Sequence, residues 1–255
     1  MSGFRAEADM LGAIAASSDS LAGAGSVVVF EVQAAAGVPD IVVLLLDEDV
    51  LAARQRSGFL TEPPAINAVM ALSEAFDRGA SMSAQEVALR IGVTRPYAAS
   101  RVLPSLRERG LVVQTHSGLW CAAARFASVA FEVVTVEAKL RDWKRGLGQA
   151  ARHAAGADRS WLVMDSNYMR AARGSAKWFQ ASGVGLAALD DSGTLTSLVA
   201  PMGAQVLPAR RELLAERAAS LYATGDLSGP VRRVFGRDLG PTTGPDPRLV
   251  GAVVR

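Results

Sequence analysis

The sequence predicts a mixed α/β protein whose sheet core is interrupted by a second, helical domain, and three observations carry that expectation. Short apolar, β-branched runs recur at residues 26–32, 41–46, 134–139, 160–164 and 183–190, each of strand length and separated by helical patterns. Asp40 and Glu137, which border two of those runs, stand roughly ninety-five residues apart, more than a structureless loop in a compact domain can hold. The residues between them carry their own succession of helices, a glycine turn and a hairpin. The expected division is a core made of residues 1–50 and 126–225, an inserted domain at 60–125, and a C-terminal extension at 226–255 whose signals are too weak to assign.

In chain order, residues 5–16 read as a polar helix, with Glu7 on it. The run Val27-Val28-Val29-Phe30 ends in Glu31, a carboxylate that needs a partner when buried. Gly37-Val38-Pro39-Asp40 then leads into Ile41-Val42-Val43-Leu44-Leu45-Leu46, so a second carboxylate sits at the mouth of a buried strand. After the insertion comes Val134-Thr135-Val136-Glu137-Ala138-Lys139. Alternate side chains of a strand share a face, so Glu137 and Lys139 project together while Val136 and Ala138 face the opposite layer. Residues 140–149 open a helix, Ser160-Trp161-Leu162-Val163-Met164 forms a further strand, and residues 209–222 have the spacing of an amphipathic helix.

Within the insertion, residues 64–77 place Ile66, Val69, Met70, Leu72, Ala75 and Phe76 at helical spacing. Ser81 or Ser83 offers an N-cap for a second helix at 84–91, Gly92 a left-handed end for it, and Thr94 a cap for a third at 95–109. Two short helices across a tight glycine turn are the helix-turn-helix signature. The strand-like Leu111-Val112-Val113-Gln114 and Leu119-Trp120-Cys121-Ala122, separated by His116-Ser117-Gly118, add a hairpin wing. The string Ala84-Gln85-Glu86-Val87-Ala88-Leu89-Arg90-Ile91-Gly92-Val93-Thr94 resembles winged-helix regulators, including the MarR-like ones. In that geometry the third helix enters the major groove of DNA. Its polar candidates are Arg95, Tyr97, Ser100, Arg101 and Ser105, with His116 at the wing tip, while Ala98, Val102 and Leu106 face the core. Pro104 is expected to kink this helix, because proline removes a backbone hydrogen bond.

A carboxylate and an ammonium on one strand face can hold a divalent cation and steady charge developing on an attacked phosphate. Taken in order, Pro39-Asp40, Glu137-Ala138-Lys139 and a following helix with Gln149 resemble the PD-(D/E)xK superfamily, the restriction-endonuclease-like fold. The resemblance implies an αβββαβ core and a metal-dependent DNA endonuclease. It further implies Asp40 and Glu137 as ligands of Mg²⁺ or Mn²⁺, Lys139 as the cation facing the phosphate, and Glu31, or Glu7, as an additional metal-site acid. Gln149, four residues before His153, matches the family's Gln-x-x-x-Tyr helix with histidine in place of the aromatic, and would orient the site or touch DNA; His153 itself is read as structural. The other reading is a non-catalytic winged-helix regulator in which the nuclease-like domain serves dimerisation or backbone binding.

Composition agrees with either reading. The 255 residues are half hydrophobic, enough for two cores, and the net charge is only +2. Charge is uneven, however. Between Lys139 and Lys177, nine basic residues face three acids (Asp142, Asp158 and Asp165), a balance suited to a phosphate backbone. A single cysteine, Cys121, excludes an internal disulfide and fits a reducing compartment. No run has the length of a membrane span, and no signal peptide is expected. The expected partners are therefore DNA and a homodimeric copy, not a membrane, in a cytoplasmic setting.

Overall fold

The structure, a computed structural model, describes residues 4–203 and 205–226, and the backbone alone at 233–234 and 237–238. The C-terminal extension thus lies almost wholly outside the described residues. The chain divides into two units, Met1–Leu46 with Ala130–Arg255, and Asp47–Val129.

The first unit is a mixed α/β layer structure. Helices α1 (Glu7–Ala16) and α2 (Asp19–Ala22) precede strands β1 (Val27–Phe30) and β2 (Ile41–Leu46). In the second unit come α3 (Glu48–Ser57), α4 (Pro63–Phe76), α5 (Ala84–Ile91), α6 (Arg95–Tyr97), α7 (Leu103–Glu108), β3 (Val112–Gln114) and β4 (Trp120–Ala122). The first unit resumes with β5 (Ala130–Lys139), α8 (Trp143–His153), β6 (Arg159–Asp165), α9 (Arg170–Arg173), α10 (Ala176–Ser182), β7 (Gly185–Leu189), β8 (Leu195–Val199) and α11 (Pro208–Thr224).

Among the described residues the sheet has six strands in the order β1-β2-β5-β6-β7-β8. The pairings of β1 with β2, β2 with β5 and β7 with β8 are antiparallel, while β5, β6 and β7 run parallel. β5 is central and buried along nearly its whole length. That explains its continuous apolar run, since a strand covered on both faces has no solvent side to mark with polar residues. On one face Ile41, Val43, Val134, Val136, Ala138, Trp161 and Val163 pack on Met10 and Ile14 of α1 and Leu21 and Ala22 of α2. On the other, Leu162, Met164, Leu186 and Ala188 pack on Ala150 of α8, Ala172 of α9 and Phe179 of α10. α11 covers β1, β2 and β5. Its Arg211 pairs with Asp158, and the same carboxylate accepts the Val133 N–H.

β1 is shorter than residues 26–32. Glu31 has φ +50°, a left-handed conformation that ends an extended run and that non-glycine residues adopt at some cost. β8, α2 and α3 are elements that the sequence pattern did not disclose.

In the second unit, Ile66, Val69, Leu72 and Ala75 of α4 pack as its buried spine, joined by Val87, Ala88 and Ile91 of α5 and by Leu103 and Leu106 of α7. Ser83 and Glu86 form a reciprocal capping box at the start of α5, and Gly92 ends it at φ +69°. Thr94 caps α6. The expected single helix at 95–109 is instead α6, a π-helical turn at Ala98–Val102, and α7, helical throughout from 95 to 108. The π turn changes the hydrogen-bond register just before Pro104, which then occupies the first turn of α7. A first-turn proline has no i→i−4 bond to forfeit, and a π turn is itself a site where helices bend. β3 and β4 pair as a hairpin, and Met82 adds a bridge to Trp120. No helix among the described residues is long and apolar enough to cross a membrane.

Candidate active site

The pairing of β2 with β5 brings Asp40 to Glu137 and Lys139. Ile41 pairs with Val136, so Asp40 lies one step beyond, where the chain enters β2. Its Oδ2 accepts the Ala138 N–H at 2.7 Å, which fixes the carboxylate against the edge of β5. Insertion of the second unit between β2 and β5 therefore leaves this antiparallel pair intact.

Lys139 is the centre of the cluster. Its Nζ donates to Glu137 Oε1 at 2.8 Å, to the Ala138 carbonyl at 2.9 Å and to Glu7 Oε2 at 3.3 Å, and lies 3.9 Å from Asp40 Oδ2. Three carboxylates from α1, the mouth of β2 and β5 thus share one ammonium. The stem of Lys139 passes across Gly146 of α8, where an added Cβ would sit 2.7 Å from Lys139 Cγ and 2.6 Å from a Leu162 methyl. Glycine at this helical position is a steric requirement of the lysine's placement.

Burial controls the electrostatics. The Glu137 side chain is only 1 % exposed, and its carboxyl is pushed up to about 7, first by loss of solvent and then by Asp40, with Lys139 pulling the other way. Asp40 is raised by burial against the opposing effects of Lys139 and the Ala138 N–H. Burial alone would discharge Lys139, but Asp40, Glu137 and Glu7 outweigh it and hold the ammonium above its ordinary range. Glu31 is raised by burial and then by Asp40, so it faces the same negative cluster.

Some expectations need correction. Glu137 and Lys139 lie at the C-terminal end of β5 and are both buried. The third carboxylate on Lys139 is Glu7, carried by α1, while Glu31 is buried at the end of β1 and feels the charge of Asp40. Gln149 has its side-chain oxygen buried without a hydrogen-bond partner. The residue of α8 that reaches the acids is His153, whose Nδ1 lies 3.8 Å from Glu137 Oε2. The signal was present in the spacing of Gly146, Ala150 and His153, which marks the inward face of α8. Burial, then Arg152 and Lys139, lower His153 to about 4, so the ring is neutral near neutrality.

The donor set suits a hard divalent cation in charge and chemistry. Glu7, Asp40 and Glu137 gather three carboxyl groups around the one ammonium, and Glu137 Oε2 is buried without a hydrogen-bond partner. Among the described residues, no three His, Cys, Asp or Glu side chains converge on one point as they stand. The Lys139 ammonium fills the space between Asp40 and Glu137, and a shared cation requires it to move.

In the second unit, Arg95, Tyr97, Ser100 and Arg101 are exposed along α6 and the π turn, and His116 is exposed at the tip of the β3–β4 hairpin. Ala98, Val102 and Leu106 are buried beneath them. Residues 95–107 hold three arginines and no acid, leaving one positively charged helical surface. Compared with known proteins, the chain matches no family model, no curated protein and no solved structure.

Proposed function

We propose that the chain is a metal-dependent DNA endonuclease of PD-(D/E)xK type, with a winged helix-turn-helix at residues 60–125, within the unit Asp47–Val129, for DNA binding. The observation that carries the reading is the single buried ammonium of Lys139 held among Asp40, Glu137 and Glu7. The order β1-β2-β5-β6, an antiparallel meander followed by a parallel strand, supports it, since that is the arrangement the family resemblance implies.

Asp40 and Glu137, with Glu7 or Glu31, would hold Mg²⁺ or Mn²⁺, which when bound supplies Lewis acidity toward a phosphoryl oxygen and a more acidic water. The protein's own contribution rests on Lys139. Its ammonium stays protonated in poorly solvated surroundings, where a positive charge stabilises the charge developing on phosphate far more than it would in water. Asp40, tied to the Ala138 N–H, keeps a fixed orientation through the reaction. Gly146 leaves room for the lysine stem, so the ammonium is placed by packing as well as by charge.

One observation favours a second reading. With Lys139 already satisfied by three carboxylates, the cluster also works as a structural ion network in a non-catalytic DNA-binding regulator. The test is incubation of purified protein with supercoiled, linear and branched DNA in Mg²⁺, in Mn²⁺ and in EDTA. Cutting is expected with metal only, and is expected to vanish in Glu137→Gln and Lys139→Met while DNA binding and the circular-dichroism spectrum persist. Equal cutting by Glu137→Gln would overturn the assignment. Binding to DNA with neither cutting nor calorimetric uptake of metal would establish the regulator.

A further inference from the structure

We infer that the first unit binds single-stranded DNA on a surface of aromatic and basic side chains beyond the C-terminal ends of β5 and β6, so that the substrate carries an unpaired segment. The inference rests on the nuclease reading above and deepens it by naming the form of DNA. Its starting point is charge. Of the three acids between Lys139 and Lys177, Asp142 accepts the Arg145 N–H as the cap of α8, Asp158 is held by Arg211, and Asp165 is fully buried. Among the described residues, the exposed Arg170 and Arg173 of α9 and Lys177 of α10 pair with no carboxylate.

Aromatic rings decide which form of nucleic acid suits that charge. β5 and β6 are parallel, with Lys139 paired to Met164, so the chain leaves both strands on one side. There the exposed Arg141 guanidinium lies 4.3 Å from the centroid of the exposed Tyr168 ring and donates to its hydroxyl at 2.8 Å. The two planar groups hold each other in place, which lowers the ordering cost of stacking a base on them. Trp178 of α10 is 59 % exposed, while Phe179 beside it is buried, its ring 5.9 Å from that of Trp143. Trp143 begins α8 two residues after Arg141, so α10, which carries Trp178, packs beside the loop that carries Arg141.

One exposed aromatic on a protein surface is ordinary. Two of them set among unpaired cations form the combination that single-strand binders use, a positive track for phosphates and rings on which bases stack. A duplex keeps its bases stacked on one another, so it would meet this surface through its phosphates and leave Tyr168 and Trp178 without a role. Ligands of open sheets with parallel strands bind outside the carboxyl ends of those strands. Arg141 stands two residues beyond Lys139, which brings the bound strand next to the carboxylate–ammonium cluster.

The test uses the full chain in EDTA, so that binding is read apart from cutting. Fluorescence anisotropy compares oligo(dT), oligo(U) and a blunt duplex, and tryptophan emission follows stacking. Expected are oligo(dT) binding with quenched emission, and at least about fivefold weaker binding in Trp178→Ala and in Tyr168→Ala, with duplex affinity changed by no more than about twofold. Replacing Arg170 and Arg173 with glutamine should reduce the salt slope on oligo(dT) by about 1.4. Trp178→Phe keeps a stacking ring, so it should bind within about twofold of wild type with most of the quench lost; it decides the matter if the alanine variants fail to fold. A quench that persists in Trp178→Phe, or oligo(dT) affinity unaltered by the alanine changes, places the strand elsewhere and overturns the inference. Tighter binding to oligo(U), or no binding to oligo(dT), overturns it as well, and plasmid cutting in Mg²⁺ or Mn²⁺ then leaves the nuclease reading standing. Stacked oligo(dT) without metal-dependent cutting of any DNA upholds the surface and overturns the nuclease.

Discussion

The folded chain places the proton of the Glu137–His153 pair on the carboxyl, and the unfolded chain places it on the imidazole. Folding raises Glu137 from 4.5 to about 7 and lowers His153 from 6.5 to about 4. Between about pH 4.5 and 6.5 both states therefore carry one proton on the pair. Stability follows the difference in bound protons, so this pair gives no slope in that window. Each single variant uncovers the half that the other had hidden. In His153→Gln the raised carboxyl of Glu137 contributes stability that is full below 4.5 and lost as pH rises through about 7. In Glu137→Gln the lowered imidazole contributes stability that is full above 6.5 and lost as pH falls through about 4. Each displacement spans about 2.5 pH units, which at ~1.4 kcal/mol per unit is on the order of 3 kcal/mol for a group this buried. Urea unfolding between pH 4 and 8 in EDTA measures it. The two variants should slope in opposite directions relative to wild type, and the double variant should follow wild type. Parallel slopes in the single variants, or a wild type as steep as either one across the window, would refute the proton placement.

Three further outcomes are expected. Gly146→Ala drives a methyl into Lys139 Cγ and Leu162; it should lower stability by about 1–3 kcal/mol in thermal denaturation and reduce any cleavage by displacing the ammonium. Replacing Arg95 and Arg101 together with alanine should weaken DNA binding and shrink the salt slope by about 2, read from anisotropy titrations at several salt concentrations. Ser83→Ala removes the side-chain bond to the Glu86 N–H, and chemical denaturation should show a loss of about 1 kcal/mol.

The strands of the core were legible where burial was continuous. The runs at 41–46 and 160–164 are β2 and most of β6, because four or more consecutive β-branched or large apolar residues in a short segment suit a covered strand. Strand β8 was hidden because Leu195-Thr196-Ser197-Leu198-Val199 lies at the sheet edge, where half-exposed positions carry no strong pattern. Helix α3 was hidden for a related reason, being mostly polar with Arg54 its buried residue. In the site, proximity of Glu137 and Lys139 follows from a period of two, and no periodicity could have placed Glu7 on the same ammonium. That contact depends on how α1 crosses the end of β5. The approach of His153 to Glu137 likewise depends on an inward helical face, which becomes evident once Gly146 and Ala150 are counted with it.

The two ends of the insertion have a consequence for how the chain folds. Leu46 pairs with Ala130 as the last rung of β2 and β5, and within the second unit the Asp47 N–H donates to the Val129 carbonyl at 3.0 Å. A sheet pairing that looks distant along the sequence is thereby a hairpin whose loop happens to be a folded body. Closing an unstructured loop of that size costs about 0.6 kcal/mol for every doubling beyond a tight turn, or roughly 2–3 kcal/mol in all. An insertion that has already folded brings its own ends together, and β2 then meets β5 as a local neighbour. When the insertion folds before the central sheet, the slow search usual for long-range strand pairing is shortened.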